Sequence, residues 1–186
     1  AGQNVPDSLV IWQFGCLFAA GFRTAGSPLK RINVANDMET VLLSIHSWLR
    51  WVVLILAIVA IAKAAAGVTG QKPYTDGDRK VGLFFMISCD IQLLVGLIMY
   101  FVTSPLGIAA FSMEGVNPMK EAGIRYFAVE HAVMMIIAIA LVHIGYSKAK
   151  KGTVDVARHK SALIFFGIAL LLMLSRIPFT DRPLFR

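Results

Sequence analysis

The stretch TVLLSIHSWLRWVVLILAIVAIA, residues Thr40–Ala62, decides the fold. At about 1.5 Å per residue it is long enough to cross a hydrocarbon core about 30 Å thick. The chain is 57% hydrophobic and 16% charged, whereas a soluble domain is about 25% charged. The sequence therefore predicts an all-α integral membrane protein, an antiparallel four-helix bundle in residues 38–186. Its other spans are predicted at Val81–Thr103, Ile124–Tyr146 and Ser161–Phe179.

The positive charges of the chain, whose net charge is +7, gather around two of the three predicted loops, 63–80 and 147–160. By the positive-inside rule these loops are cytoplasmic and both ends of the bundle lie outside. The charge then reflects topology and contact with the lipid bilayer, and it does not indicate a nucleic-acid partner. An interfacial aromatic belt is predicted from Trp48, Trp51, Tyr100 and Tyr126.

Residues 1–37 differ from the rest of the chain. Their apolar stretch, Leu9–Phe22, is short for a span, and its basic residues follow it, whereas a signal peptide carries them in front. Met38 stands just before the first predicted span. We expect residues 1–37 to be a non-native or poorly ordered extension; the alternative is a peripheral arm.

A motif occurs once in each half of the predicted bundle. His-x16-Lys-Ala-x2-Gly runs from His46 to Gly67 and again from His131 to Gly152. Because polar residues are sparse in spans, the repeat predicts two pseudo-symmetric hairpins about an axis along the membrane normal. The two imidazoles are then expected at similar depths on opposite sides of that axis. They could hold a haem iron from both faces; the alternative is two hydrogen-bonded histidines in a polar core.

Other ionisable residues of the spans are costly in a bilayer and are therefore functional candidates. Arg50 shares a helix face with His46. Glu130 is expected to pair with Arg50 or to orient an imidazole as a hydrogen-bond acceptor. Asp90, near the middle of the second span, is expected to neutralise Arg50 or to be uncharged because of burial.

Two arginines near the predicted outer surface, Arg125 and Arg176, are candidates for pairing with haem propionates or with lipid headgroups. His143 follows His131 by about 120° around the helix, so the two do not share a face. Neither His143 nor the loop residue His159 is expected to supply a further ligand. The sequence predicts one haem at most.

Five segments of the chain resemble small four-helix bacterial inner-membrane proteins that are labelled cytochrome b-like. They are HSWLRW (46–51), QLLVGL (92–97), RYFAVEH (125–131), IGYSKAK (144–150) and FGIALLL (166–172). The similarity extends from Met38 to about Phe179. It implies a b-type haem and electron transfer, with His46 and His131 at the ligand positions.

The leading hypothesis is a single-haem b-type cytochrome that carries electrons within the bilayer, with quinol or a respiratory protein as partner. Its cofactor is haem b, and its iron ligands are His46 and His131. The alternative is a non-haem module, either a proton or small-solute carrier that uses Asp90, Glu130 and Arg50, or an accessory subunit. A stand-alone enzyme is not predicted, because the sequence shows no nucleophile–base pair, phosphate-binding loop or metal cluster.

Overall fold

The protein is all-α in a computed structural model that describes the backbone of residues 28–177 and the side chains of residues 37–177. All four of its long helices are long and apolar enough to cross a membrane, which confirms the predicted fold class. The second of these helices continues into a π-helical turn, Met99–Thr103. The end of the fourth predicted span, Phe179, lies outside the described residues. The helices are α1 Pro28–Thr69, α2 Asp76–Ile98, α3 Ala122–Lys151 and α4 Asp155–Ser175.

The helices form a closed bundle in which each one packs against two neighbours. α1 packs against α2 and α4, and α3 packs against the same two helices from the other side. α1 and α3 are therefore diagonal, so side chains that reach inward from them meet in the interior. The predicted histidine positions belong to this diagonal pair.

Small residues line the interior of the bundle, and branched side chains cover its outside. Ala64 and Ala149, which are equivalent in the two repeats, are both buried. Small side chains allow helix backbones to approach closely, and an apolar exterior suits a surface in contact with lipid. The interior alanines are Ala57, Ala60, Ala64, Ala138, Ala149, Ala162 and Ala169, and the exposed side chains include Val52, Ile55, Ile58, Phe84 and Ile87.

The first helix begins earlier than the sequence analysis predicts. α1 starts at Pro28, whereas the predicted span starts at Thr40. Proline suits the first turn of a helix, and no glycine or second proline follows before Met38. The backbone of residues 28–37 thus forms the first part of α1. Residues 1–27 lie outside the described residues, so the expected extension stays a prediction for them.

The end of the bundle that holds the connections 70–75 and 152–154 is called the basic end. Thr75 and Asp78 form a capping box at the start of α2, and Lys63 pairs with Asp78 at 3.0 Å. The Arg158 guanidinium lies 4.0 Å from the centre of the Tyr74 ring. Burial raises the pKa of the Tyr74 hydroxyl. These contacts join α1, α2 and α4 at the basic end.

His159 does not lie in a loop, as the sequence analysis expects, but in the second turn of α4. That helix begins at Asp155, whose negative charge suits a helix N-terminus, and not at Ser161. The His159 ring is 2% exposed and packs against Gly67 of α1, where a Cβ atom would lie 2.3 Å from the ring. The ring therefore fills the contact between α1 and α4.

Candidate functional site

The two histidines of the repeat meet in the interior at the end of the bundle opposite the basic end. The ring centroids of His46, on α1, and His131, on α3, lie 6.4 Å apart, and the ring planes are inclined by 61°. Both residues are partly buried. The structure thus brings the two rings together as the repeat predicts, and we call this region the histidine end.

A π-helical turn, Tyr126–His131, places His131 on α3. Single π turns inside α-helices occur often at functional sites, because the wider turn rotates the side chains that follow it. The Tyr100 hydroxyl donates a hydrogen bond of 3.0 Å to the carbonyl oxygen of Ala128 within this turn. Tyr100 therefore links the end of α2 to α3. The sequence analysis predicts Tyr100 only as part of the aromatic belt and does not predict this contact.

A backbone carbonyl determines the tautomer of His131. Its Nδ1 lies 3.1 Å from the carbonyl oxygen of Arg176, at the end of α4. A carbonyl oxygen can only accept, so Nδ1 carries the hydrogen of this bond. In the neutral ring Nε2 then keeps its lone pair, the form in which histidine binds a metal. The sequence gives no signal for this backbone contact.

The ring of His46 is positioned by α2. The Gln92 side-chain amide donates a 2.9 Å hydrogen bond to the His46 backbone carbonyl. A Cβ atom added to Gly96 would lie 3.2 Å from Cε1 of the His46 ring, so the absence of a side chain there makes room for the ring. Among the described residues, the buried Nδ1 of His46 has no hydrogen-bond partner. Neither Gln92 nor Gly96 was among the predicted site residues.

Glu130 joins two arginines beside the histidines. Its carboxylate accepts from Nε of Arg125 at 2.8 Å and from Nη1 of Arg176 at 2.7 Å, and not from Arg50 or an imidazole, as the sequence analysis expects. Among the described residues, the buried Nε of Arg176 has no acceptor. Arg50 lies one turn beyond His46 on α1, toward the bundle interior's middle. The predicted site residues thus gather at the histidine end.

Asp90 is the exception, because it lies outside this cluster. Its Oδ1 is 2.7 Å from Nε2 of His143 on α3, and both side chains are on the outside of the bundle. The expectation that Asp90 neutralises Arg50 in the interior is wrong, since the rotation of α2 turns Asp90 outward. His143 does not share a face with His131, in agreement with the sequence analysis.

The arrangement at the histidine end offers two inward imidazoles, and not a cluster of several metal ligands. Among residues 37–177, no group of three or more His, Cys, Asp or Glu side chains is placed to hold a metal ion.

Comparison of the chain with protein-family models, with curated proteins and with solved structures gives no match. The resemblance to cytochrome b-like proteins therefore stays a prediction.

Proposed function

We propose that the chain binds one b-type haem between His46 and His131 and carries electrons within the membrane. The observation that supports this most is the 6.4 Å between the two ring centroids. Two imidazoles that bind one metal ion from opposite sides, with metal bonds of about 2 Å and ring bonds of about 1.35 Å, have centroids about 6.3 Å apart. The separation of the two rings would suit a metal ion held between them.

The hydrogen bonds around the two rings favour the same proposal. The Arg176 carbonyl holds His131 in the tautomer whose Nε2 is free to bind iron. A buried ring nitrogen without a partner, as in His46, costs about 1–3 kcal/mol. Iron bound at this nitrogen would supply the missing partner and remove that cost. Gly96 leaves space beside the ring on α2.

The arginines supply the charge that a haem needs at its polar edge. Arg176 Nε, which is without an acceptor among the described residues, is the donor that we assign to a propionate. Arg125 stands on the other side of Glu130 and is a second candidate. Glu130 holds the two guanidinium groups in place and offsets part of their charge.

A bound haem would supply a one-electron couple, whose potential the protein adjusts through ligands, burial and hydrogen bonds. In this proposal His46 and His131 bind it, Gln92 fixes the backbone beside one ligand, and the surrounding apolar side chains exclude water. Quinol or a respiratory protein is the proposed electron partner. The proposed setting is a bacterial inner membrane, with the basic end in the cytoplasm.

The test is the reduced-minus-oxidised absorption spectrum of the purified protein, together with the haem extracted from it. We expect the low-spin spectrum of a haem with two histidine ligands, and we expect His46→Ala and His131→Ala each to abolish it. His143→Ala is the matched control, because this histidine lies on the outside of the same bundle. A folded protein without haem, or unchanged spectra in both ligand variants, would contradict the proposal.

The alternative of a non-haem carrier receives less support. It needs Asp90, Glu130 and Arg50 along one path, but Asp90 lies on the outer surface and bonds to His143. Glu130 is held by two arginines at the histidine end. An accessory subunit, the other alternative, predicts that loss of either histidine impairs assembly and changes no spectrum.

A further inference from the structure

The two hairpins of the bundle, α1–α2 and α3–α4, differ in how their positive charges are paired at the basic end. In the first hairpin Lys63 of α1 pairs with Asp78 of α2 at 3.0 Å. In the second hairpin, five cations within residues 147–160 accompany a single carboxylate, Asp155. The basic end thus carries an excess of positive charge on the side of α3 and α4.

The repeat shows where a carboxylate is missing from the second hairpin. α2 and α4 are equivalent elements of the repeat, displaced by 80 residues, so that the buried Gly82 matches the buried Ala162. At this displacement Asp78 matches Arg158. The position that carries a negative charge in the first hairpin therefore carries a positive charge in the second.

Lys148, the equivalent of Lys63 in the repeated motif, has no carboxylate partner. It forms no ion pair among the described residues. Its Nζ lies 5.8 Å from the centre of the Phe165 ring, a contact that leaves its charge uncompensated. Arg158 Nη1 lies 3.4 Å from Asp155, the one carboxylate of this region. The second hairpin therefore lacks an anion where the first hairpin has one.

Two of the uncompensated lysines, Lys148 and Lys160, stand where the lipid-facing sides of α3 and α4 end. Lys148 is one turn beyond the exposed Ile144, and Lys160 is one turn before the exposed Ile164. Residues four apart share a helix face, and both lysines are exposed. The two lysines therefore lie on the side of the bundle, where lipid headgroups meet it, and not at the tip of the connection.

Lys148 and Lys160 also lie at similar depth on neighbouring helices. α3 and α4 approach closely at Gly145, where an added Cβ atom would lie 2.6 Å from Cβ of Phe165. From this contact toward the basic end, Lys148 is three residues away on α3 and Lys160 five residues away on α4. At about 1.5 Å per residue their depths differ by about 3 Å. Packed helices lie about 8–10 Å apart, a distance that two flexible lysine side chains can bridge through one phosphate group.

We propose that the groove between α3 and α4 at the basic end binds an anionic phospholipid, whose phosphate contacts Lys148 and Lys160. Its acyl chains lie along the exposed Ile144, Ile164 and Ile168. The phosphate supplies the negative charge that a carboxylate supplies in the first hairpin. Basic pockets between membrane helices bind anionic headgroups in this way. The proposal does not depend on a bound haem.

Unspecific attraction of anionic lipid by the whole basic end is the alternative. Such attraction depends on the number of charges and little on their position, so Lys72, in the connection 70–75, would contribute as much as Lys148. The proposed site instead assigns the contact to one pair of lysines on one side of the bundle. The two cases therefore differ in which substitutions weaken lipid binding.

The experiment is photolabelling of the full chain in phosphatidylcholine vesicles with a trace of phosphatidylglycerol that carries a diazirine on one acyl chain. We expect label on the peptides of α3 and α4 that contain Ile144 and Ile164. A phosphatidylcholine probe with the same diazirine should label these peptides at least tenfold less, because its choline group offsets the charge of its phosphate. This comparison uses the unmodified protein and needs no variant to fold.

Variants then test the two lysines. We expect Lys148→Gln and Lys160→Gln each to lower phosphatidylglycerol labelling about fivefold, which corresponds to about 1 kcal/mol for one lysine near an anionic lipid. Lys148→Arg keeps the charge and should keep the labelling. Lys72→Gln is the matched control, because it removes one charge from the same end of the bundle outside the groove, and we expect it to leave the labelling unchanged.

Three results would overturn the proposal. Equal labelling by the two probes would show that the groove does not distinguish an anionic headgroup. An equal decrease in Lys72→Gln and Lys148→Gln would show unspecific attraction. Displacement of the phosphatidylglycerol probe by millimolar inorganic phosphate would assign the lysines to a free anion in place of a lipid.

Discussion

Gly96 provides the sharpest test of how the bundle holds its proposed haem. A methyl group at this position would lie 3.2 Å from Cε1 and 3.7 Å from Nδ1 of His46, so the ring must move by a few tenths of an ångström. Overpacking of this kind costs about 1–3 kcal/mol, and a tenfold change in affinity corresponds to about 1.4 kcal/mol. We expect Gly96→Ala to weaken haem binding about fivefold, at the lower end of that range, and Gly96→Val to weaken it more than tenfold.

Although Gly96→Ala is expected to weaken haem binding, it stabilises the helix itself. Alanine favours a helix over glycine by about 1 kcal/mol, so the thermal stability of the haem-free Gly96→Ala protein should change little. The assay is haem titration of the detergent-solubilised protein followed by absorption, beside thermal unfolding of the haem-free form. Gly167→Ala is the control, because a Cβ atom there meets nothing within 4 Å. Unchanged haem affinity in both Gly96 variants would refute the reasoning.

Three further predictions concern the packing and charge of the bundle. Gly67→Ala places a methyl group against the buried His159 ring, and we expect thermal unfolding to show a loss of about 1–3 kcal/mol; unchanged stability would contradict this packing. Tyr100→Phe removes the hydrogen bond to the π turn, and we expect a loss of about 0.5–1.5 kcal/mol in the same assay; a stabilised variant would contradict it. Glu130→Gln removes a negative charge beside the proposed haem, and redox titration should show a higher midpoint potential, whereas a lower one would contradict the placement.

The sequence predicts the four helices well because a span has a required length and composition. The proximity of His46 and His131 was also predictable, since the repeated motif places both at one depth on diagonal helices. The first inference does not depend on the rotation of a helix about its axis. The second requires both histidines to face the interior, as polar side chains of membrane spans almost always do. That rotation depends on the packing of many side chains, which explains why the outward position of Asp90 was not predicted.

Finer features of the site have no sequence signal of their own. The π turn before His131 changes the register of α3 without a proline or glycine in it. The Arg176 carbonyl that orients His131 is a backbone group, and every residue has one. Gly96 is recognisable as part of the site only when the His46 ring is known to lie against it.

The most direct test of the central claim is titration of the purified chain with haem b, read as the number of haems bound per folded chain. The account predicts one low-spin haem per chain. When His46 or His131 is replaced by alanine, it predicts that no haem with two histidine ligands forms. A folded chain that saturates with no haem, or a low-spin haem that persists without either histidine, would contradict it.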